Sequence, residues 1–181
     1  MGDPKNPKKK YVTPSHPWQS GRLEAEKLLV KEYGIKNKKE IWKMDTIRKR
    51  FAAQAKRLIA DKSKQGEMEK EQLIDKLSRL GLIKKGAEID DILSIQLKDV
   101  LERRLQTLVF KKQLARSIGQ ARQFIVHHHI IVNGTKVSSP SYLVPVDEED
   151  VLAYSIDSSF MDPEHPEIVK EKQKEVVPDA K

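Results

Sequence analysis

The chain contains no cysteine, which excludes a disulfide framework and a cysteine zinc site. It has no apolar run near the roughly 18 residues that a membrane span needs. The opening stretch MGDPKNPKKKYVTP has no hydrophobic segment for export, so the chain is expected to stay in the cytoplasm. Gly119 is a lone glycine near a helix start, with no phosphate-cradling glycine loop around it. Ser117 has no histidine or acid spaced in sequence to activate it as a nucleophile. At 181 residues there is room for one ordinary domain or two small ones, which excludes a large multidomain enzyme. These gaps leave no catalytic residue, cofactor or small-molecule substrate to predict. His127-His128-His129 points to no metal either, because consecutive side chains diverge and no acid or cysteine stands nearby in sequence to complete a site.

What the chain has in excess is positive charge, unevenly placed. The formal net charge is +8, residues 146–181 carry −7, and residues 1–145 therefore carry +15. Such a body favours a polyanion, because each Lys or Arg that neutralises a phosphate releases condensed counterions, and binding should weaken with salt. The competing reading is a heat-tolerant chain whose charged helices form ion-pair networks.

Four regions follow from the pattern. Residues 1–20 mix Pro4, Pro7, Pro14 and Pro17 with Lys5, Lys8, Lys9 and Lys10, an extended basic arm able to order on RNA. Tyr11, His16 and Trp18 add flat rings that could stack on bases, and Trp18 is expected to cap the helix that follows. Residues 21–95 read as a helical subdomain. Its first helix, from Arg22 to Tyr33, has an apolar stripe of Ala25, Leu28, Leu29 and Tyr33 and stops at Gly34. From Asp45 to Ala60 a second helix turns Ile47, Phe51, Ala55, Leu58 and Ile59 to one face. Arg48, Lys49, Arg50, Lys56 and Arg57 occupy the rest, with no acid after Thr46 to balance them, so Arg48, Arg50 and Arg57 are candidate RNA contacts. A third helix points Leu73, Ile74, Leu77 and Leu80 inward and ends at Gly81, and Ala87 to Ile95 is ambiguous. Residues 96–156 form a small domain, and residues 157–181 an acidic, weakly structured tail.

The small domain organises the rest. Leu97, Leu101, Leu105 and Leu108 share one face of a single helix from Leu97 to Phe110, with Arg103 facing away and Arg104 flanking. Ser117 is an N-cap with Gln120 three residues on, so the next helix starts at Ile118. That helix has an apolar back of Ile118, Ala121 and Ile125 and a front of Arg116, Gln120, Gln123 and His127, groups suited to phosphates and base edges. Ile130-Ile131-Val132, Asn133-Gly134 and Thr135-Lys136-Val137 read as a hairpin. Residues 139–145 should run extended, VDEED should turn, and Val151 to Ile156 should close the sheet. The fold class is α+β. The two helices would bury their leucines and leave a cationic ridge, so Arg103, Arg104, Lys111, Lys112, Arg116 and Arg122 are the main candidate RNA contacts, with Gln120 and Gln123 secondary. For Arg122, nearer the apolar edge, an internal salt bridge is the alternative.

The run ERRLQTLVFKKQLARSIGQARQFIVHHHIIVNG followed by SPSYLV resembles the S-four family of small-subunit ribosomal proteins, whose RNA-binding domain bears the same name. Pro17-Trp18, YGIKNKKE from Tyr33 to Glu40 and the basic helix beyond resemble its archaeal branch. The resemblance implies a non-catalytic ribosomal component that binds folded small-subunit ribosomal RNA where helices converge. It also implies an early part in assembly, a place near the messenger channel and neighbouring ribosomal proteins as partners. Two departures stand out. The zinc-binding cysteines of many bacterial relatives are absent, and His128 stands where the family commonly has glycine, at a turn that would be left-handed. An RNA-modifying enzyme carrying the same appended domain is the alternative, though the flanks provide no catalytic domain. A DNA-binding helix-turn-helix regulator is the other, though no dimerisation helix is evident.

Overall fold

Asn37 starts the longest helix among the described residues. Its side-chain oxygen accepts the Lys39 amide at 2.9 Å, and the helix runs from Lys38 to Ala60 (α2). The computed structural model describes residues 2, 8–84 and 86–161, so the acidic tail beyond Met161 lies outside the described residues, as do Pro4, Lys5 and Pro7 of the arm. The helix expected from Asp45 thus begins seven residues earlier. Asn37 with Glu40 at the third helical position was the available signal.

Around α2 pack α1 (Ser20–Glu32), α3 (Lys64–Arg79), the single-turn α4 (Asp91–Ser94) and α5 (Leu97–Glu102). Ile41, Met44, Ala55 and Leu58 of α2 meet Leu73 and Leu77 of α3, Ile92, Val100 and Leu101 in one apolar cluster. The α1 stripe is rotated from the expected one. Glu26 lies inside at 5% exposure, whereas Ala25 and Leu28 face out. Glu26 is buried because it has partners: Trp42 Nε1 donates to it at 3.1 Å, Arg22 is bonded to it, and Lys38 lies 3.3 Å away. A buried carboxylate with three such partners is a tie between α1 and α2 rather than a packing fault.

The second cluster belongs to α6 (Leu105–Lys111), α7 (Ile118–Val126) and a small antiparallel sheet of β1 (Ile130–Val132), β2 (Thr135–Lys136) and β3 (Ala153–Tyr154), in the order β2-β1-β3. VDEED forms the single-turn α8 (Val146–Glu149), and a 3-10 turn covers Ser159–Met161. The α+β class is therefore as expected.

The helix expected from Leu97 to Phe110 is two helices, broken at Arg103 and Arg104. Arg104 takes extended dihedrals, φ −72 and ψ 141, and pairs as an isolated bridge with Leu143. The amides at the start of α6 would otherwise lack partners. Leu105 N donates to Tyr142 O at 2.8 Å and Gln106 N to Pro140 O at 3.3 Å, while Val144 N donates to Arg103 O at 3.0 Å. The extended segment 140–144 thus completes the break. Its side chains alternate as an extended chain requires: Leu143 packs on the first cluster, Tyr142 and Val144 on the second. The leucine stripe is divided too, with Leu97 and Leu101 serving one cluster and Leu105 and Leu108 the other.

Candidate nucleic-acid interface

The break at Arg103 and Arg104 decides where the expected cationic ridge goes. Both side chains turn inward. Arg104 is 1% exposed, and its Nη2 donates to Glu40 at 2.6 Å. Arg103 donates to Glu149 at 2.6 Å and to Val144 O at 2.8 Å. Arg122 holds the same Glu40 at 2.8 Å, the salt-bridge alternative. Lys112 is bonded to Glu149 O and lies 3.6 Å from Asp150. Lys111 remains outward, half exposed, and pairs with Glu102 at 3.1 Å.

The expected ridge is therefore largely a set of internal ties. Glu40 lies 64 and 82 positions from Arg104 and Arg122, and Glu149 lies 46 from Arg103, too far for periodicity to pair them. Arg104 has no surface to offer a phosphate in this conformation, and Arg103 little.

Glu40, Arg104, Arg122 and Gln106 join the two apolar clusters. Gln106, 1% exposed, donates from Nε2 to Gly34 O at 3.1 Å and Ile118 O at 3.0 Å. Gly34 has φ +55, and a Cβ there would stand 2.4 Å from Ile118 Cγ2 and 3.0 Å from Gln106 Nε2. Only glycine meets both the left-handed backbone and this close approach. Burial pushes the Glu40 carboxyl up, but the hydrogen bonds and charges of Arg122 and Arg104 outweigh it and hold the group below its ordinary value.

Two exposed faces are fixed relative to each other by this network. On α7 the cap is as the spacing predicts: Ser117 Oγ accepts Gln120 N at 3.1 Å, and the Gln120 side-chain oxygen accepts Arg116 N at 2.7 Å. Gln120 is thereby engaged in capping, while Arg116, Gln123 and His127 stand exposed on the front. The back is Ala121, Phe124 and Ile125, with Ile118 turned to Gly34 instead. His128 has φ 62. With His128 N donating to Ile125 O and His129 N to Phe124 O, it occupies the left-handed position of a Schellman ending. His129 turns inward, its Nδ1 2.9 Å from Ser158 Oγ and its ring against Phe160. His127 and His128 face out, so the three imidazoles do not converge. Among the described residues no group of three His, Cys, Asp or Glu could hold a metal ion.

The second face is the outer side of α2. Lys39, Lys43, Arg50 and Arg57 recur along it at helical spacing with Lys49 and Lys56 beside them, all exposed. Lys49 pairs with Asp45 at 2.8 Å, and Arg48 binds the same carboxylate at 2.9 Å. Arg57 makes a 3.2 Å pair with Glu69 while 71% exposed, a weak contact that a phosphate can replace. Lys43, Arg50 and Lys56 have no side-chain partner among the described residues. The N-terminal arm adds to this face. Val12 N donates to Thr46 Oγ1 at 3.0 Å, Tyr11 lies 6.0 Å from the Trp42 ring, and Lys9 Nζ stands over Tyr11. Lys8, Lys9 and Lys10 thus lie just ahead of a segment anchored on α2. Lys39, Lys43 and the anchoring Trp42 were missed because they precede the expected helix start.

Both clusters also lie within the reach of sequence comparison with known proteins. The family model described as S4 domain matches residues 103–151, close to the span of the second cluster. Small ribosomal subunit protein uS4 of Methanococcus aeolicus is 54% identical over 92% of this chain and 95% of its own length. The proteins of that name from Nanoarchaeum equitans and Methanococcus maripaludis are each 48% identical, over 93% and 92% of this chain and 94% of theirs. A match that spans both clusters and α2, and is not confined to the appended domain, establishes that this chain belongs to the family of small ribosomal subunit protein uS4.

Proposed function

We propose that the chain is a structural, non-catalytic component of the small ribosomal subunit. In this reading it binds small-subunit ribosomal RNA and supports subunit assembly beside neighbouring ribosomal proteins. The observation that carries the reading is near full-length identity to relatives named as a ribosomal subunit protein, none of which carries an enzyme name. The basic faces supply a mechanism. Lys43, Arg50 and Lys56 with the arm on one side, and Arg116 on α7, neutralise phosphates of converging RNA helices, while the Gln123 amide beside Arg116 hydrogen-bonds to them. The Glu40 network holds the two faces at a fixed separation, so shape and backbone charge matter more than base sequence. Lys111 and Arg57 join by exchanging weak surface carboxylate contacts for phosphate. In the described residues no helix is long and apolar enough to cross a membrane.

Gradient fractionation of native lysate tests the reading: the chain should sediment with small subunits, and salt should release it. A chain found only at the top of the gradient, with no affinity for small-subunit RNA at low salt, would refute it.

A further inference from the structure

Trp18 is the largest apolar side chain that the fold leaves outside. It is 89% exposed. The sequence predicts that it caps α1, but the N-terminal position belongs to Gln19, which makes no side-chain cap. An indole so placed adds almost nothing to the core and exposes both ring faces to water.

The segment that carries it is nevertheless fixed. Arg22 Nη2 donates to Pro17 O at 2.7 Å and to His16 O at 3.3 Å. Arg22 is bonded in turn to the buried Glu26, which Trp42 and Lys38 also hold. A chain of hydrogen bonds thus runs from the α1–α2 contact to the backbone on either side of the Pro17 peptide. Trp18 is presented on a prepared support, so little further order is lost when its ring is covered.

The surroundings select the partner. From Lys8 to Leu23 there is no acidic residue, and Lys8, Lys9 and Lys10 precede the point at which Val12 is anchored to α2. An exposed ring in an acid-free, lysine-rich segment fits a ligand with both negative charge and a flat apolar face. We propose that the Trp18 indole is a stacking platform for an unpaired base of the bound RNA. Stacking is indifferent to base identity and available only where a base is free of its helix. The site therefore reads single-stranded RNA beside the helices that α2 and α7 neutralise, and so rests on the function proposed above.

The test uses the full chain and its Trp18→Ala and Trp18→Phe variants with small-subunit ribosomal RNA. Base stacking predicts that Trp18→Ala weakens binding roughly fivefold or more, with an unchanged salt slope because no charge is removed. Trp18→Phe should recover most of the loss, and the melting temperature should not move. Wild-type minus Trp18→Ala fluorescence isolates the Trp18 signal. It should be quenched by the ribosomal RNA and left alone by a fully paired RNA duplex. Binding within twofold of wild type, with Trp18 emission unquenched while RNA is bound, would overturn the stacking site and leave the RNA-binding function standing. The ring would then face a protein neighbour. Failure of the wild-type chain to bind the RNA at all would overturn both.

Discussion

Glu40→Gln should loosen the whole molecule although residue 40 lies at the edge of one helix. The carboxylate accepts from Arg104 at 2.6 Å and from Arg122 at 2.8 and 3.2 Å. Arg104 is 1% exposed, and its Nε and Nη1 have no partner. Neutralising Glu40 leaves that guanidinium buried with no counter-charge, a change worth about 3 to 5 kcal/mol when one member of a buried pair is removed. Against a total stability of about 5 to 15 kcal/mol for an ordinary domain, such a loss is large. Urea titration followed by far-UV circular dichroism at pH 7 measures it. Arg104→Met combined with Glu40→Gln should recover much of the loss, because the unpaired charge is removed with its partner. The pH dependence has a definite sign. The folded carboxyl lies below its ordinary value of 4.5, so the unfolded chain binds the proton more readily. The contribution is complete above that value and fades as pH falls through the folded one. The gap between wild type and Glu40→Gln should therefore narrow in acid. A loss under about 1 kcal/mol at pH 7, or a gap that widens in acid, would refute the account of the pair.

Three further outcomes are expected. Replacing Lys43, Arg50 and Lys56 together by alanine should reduce RNA affinity in filter binding and flatten log K against log salt by roughly 2 to 3, at about 0.7 to 0.9 per lost phosphate contact; an unchanged slope would remove α2 from the interface. His128→Gly should raise stability by up to about 1 kcal/mol and His128→Val should lower it, since φ 62 suits glycine and strains a β-branched residue; thermal melts that reverse the order would contradict the ending of α7. Burial and the carboxylates of Glu32, Glu102 and Asp99 push the Tyr33 hydroxyl up to about 12. Wild-type stability should hold below the ordinary tyrosine value of 10.0 and fall between there and about 12 as the unfolded chain ionises first; absorbance at about 295 nm and denaturant melts of Tyr33→Phe, which lacks that loss, check it.

Local chemistry in this chain was legible from sequence, and long-range chemistry was not. Ser117 with Gln120 announces the start of α7, Asn133-Gly134 the hairpin, and Gly81 the end of α3, because each acts within four residues of itself. The break at Arg103 and Arg104 carries no proline or glycine. It is imposed by carbonyls of residues 140 and 142, and nothing near the arginines reports it. Both arginines then face inward, so a helical wheel drawn through residue 103 assigns them to solvent. The buried Glu26 is hidden from the sequence in the same way, since a carboxylate inside α1 makes sense only with Trp42 and Lys38 in view. The exposure of Arg116, Gln123 and His127 on α7 and of Arg50, Lys56 and Arg57 on α2 was readable because a solvent face is defined by its own helix.

The segment 140–144, shared by both clusters, sets an order of events during synthesis. A nascent chain that has emerged through Arg122 already holds every member of the Glu40 network. The amides of Leu105 and Gln106 must still wait for Pro140 and Tyr142. Vectorial folding can therefore assemble the α1–α3 packing early but cannot seal its junction with α6 until those later residues leave the exit tunnel.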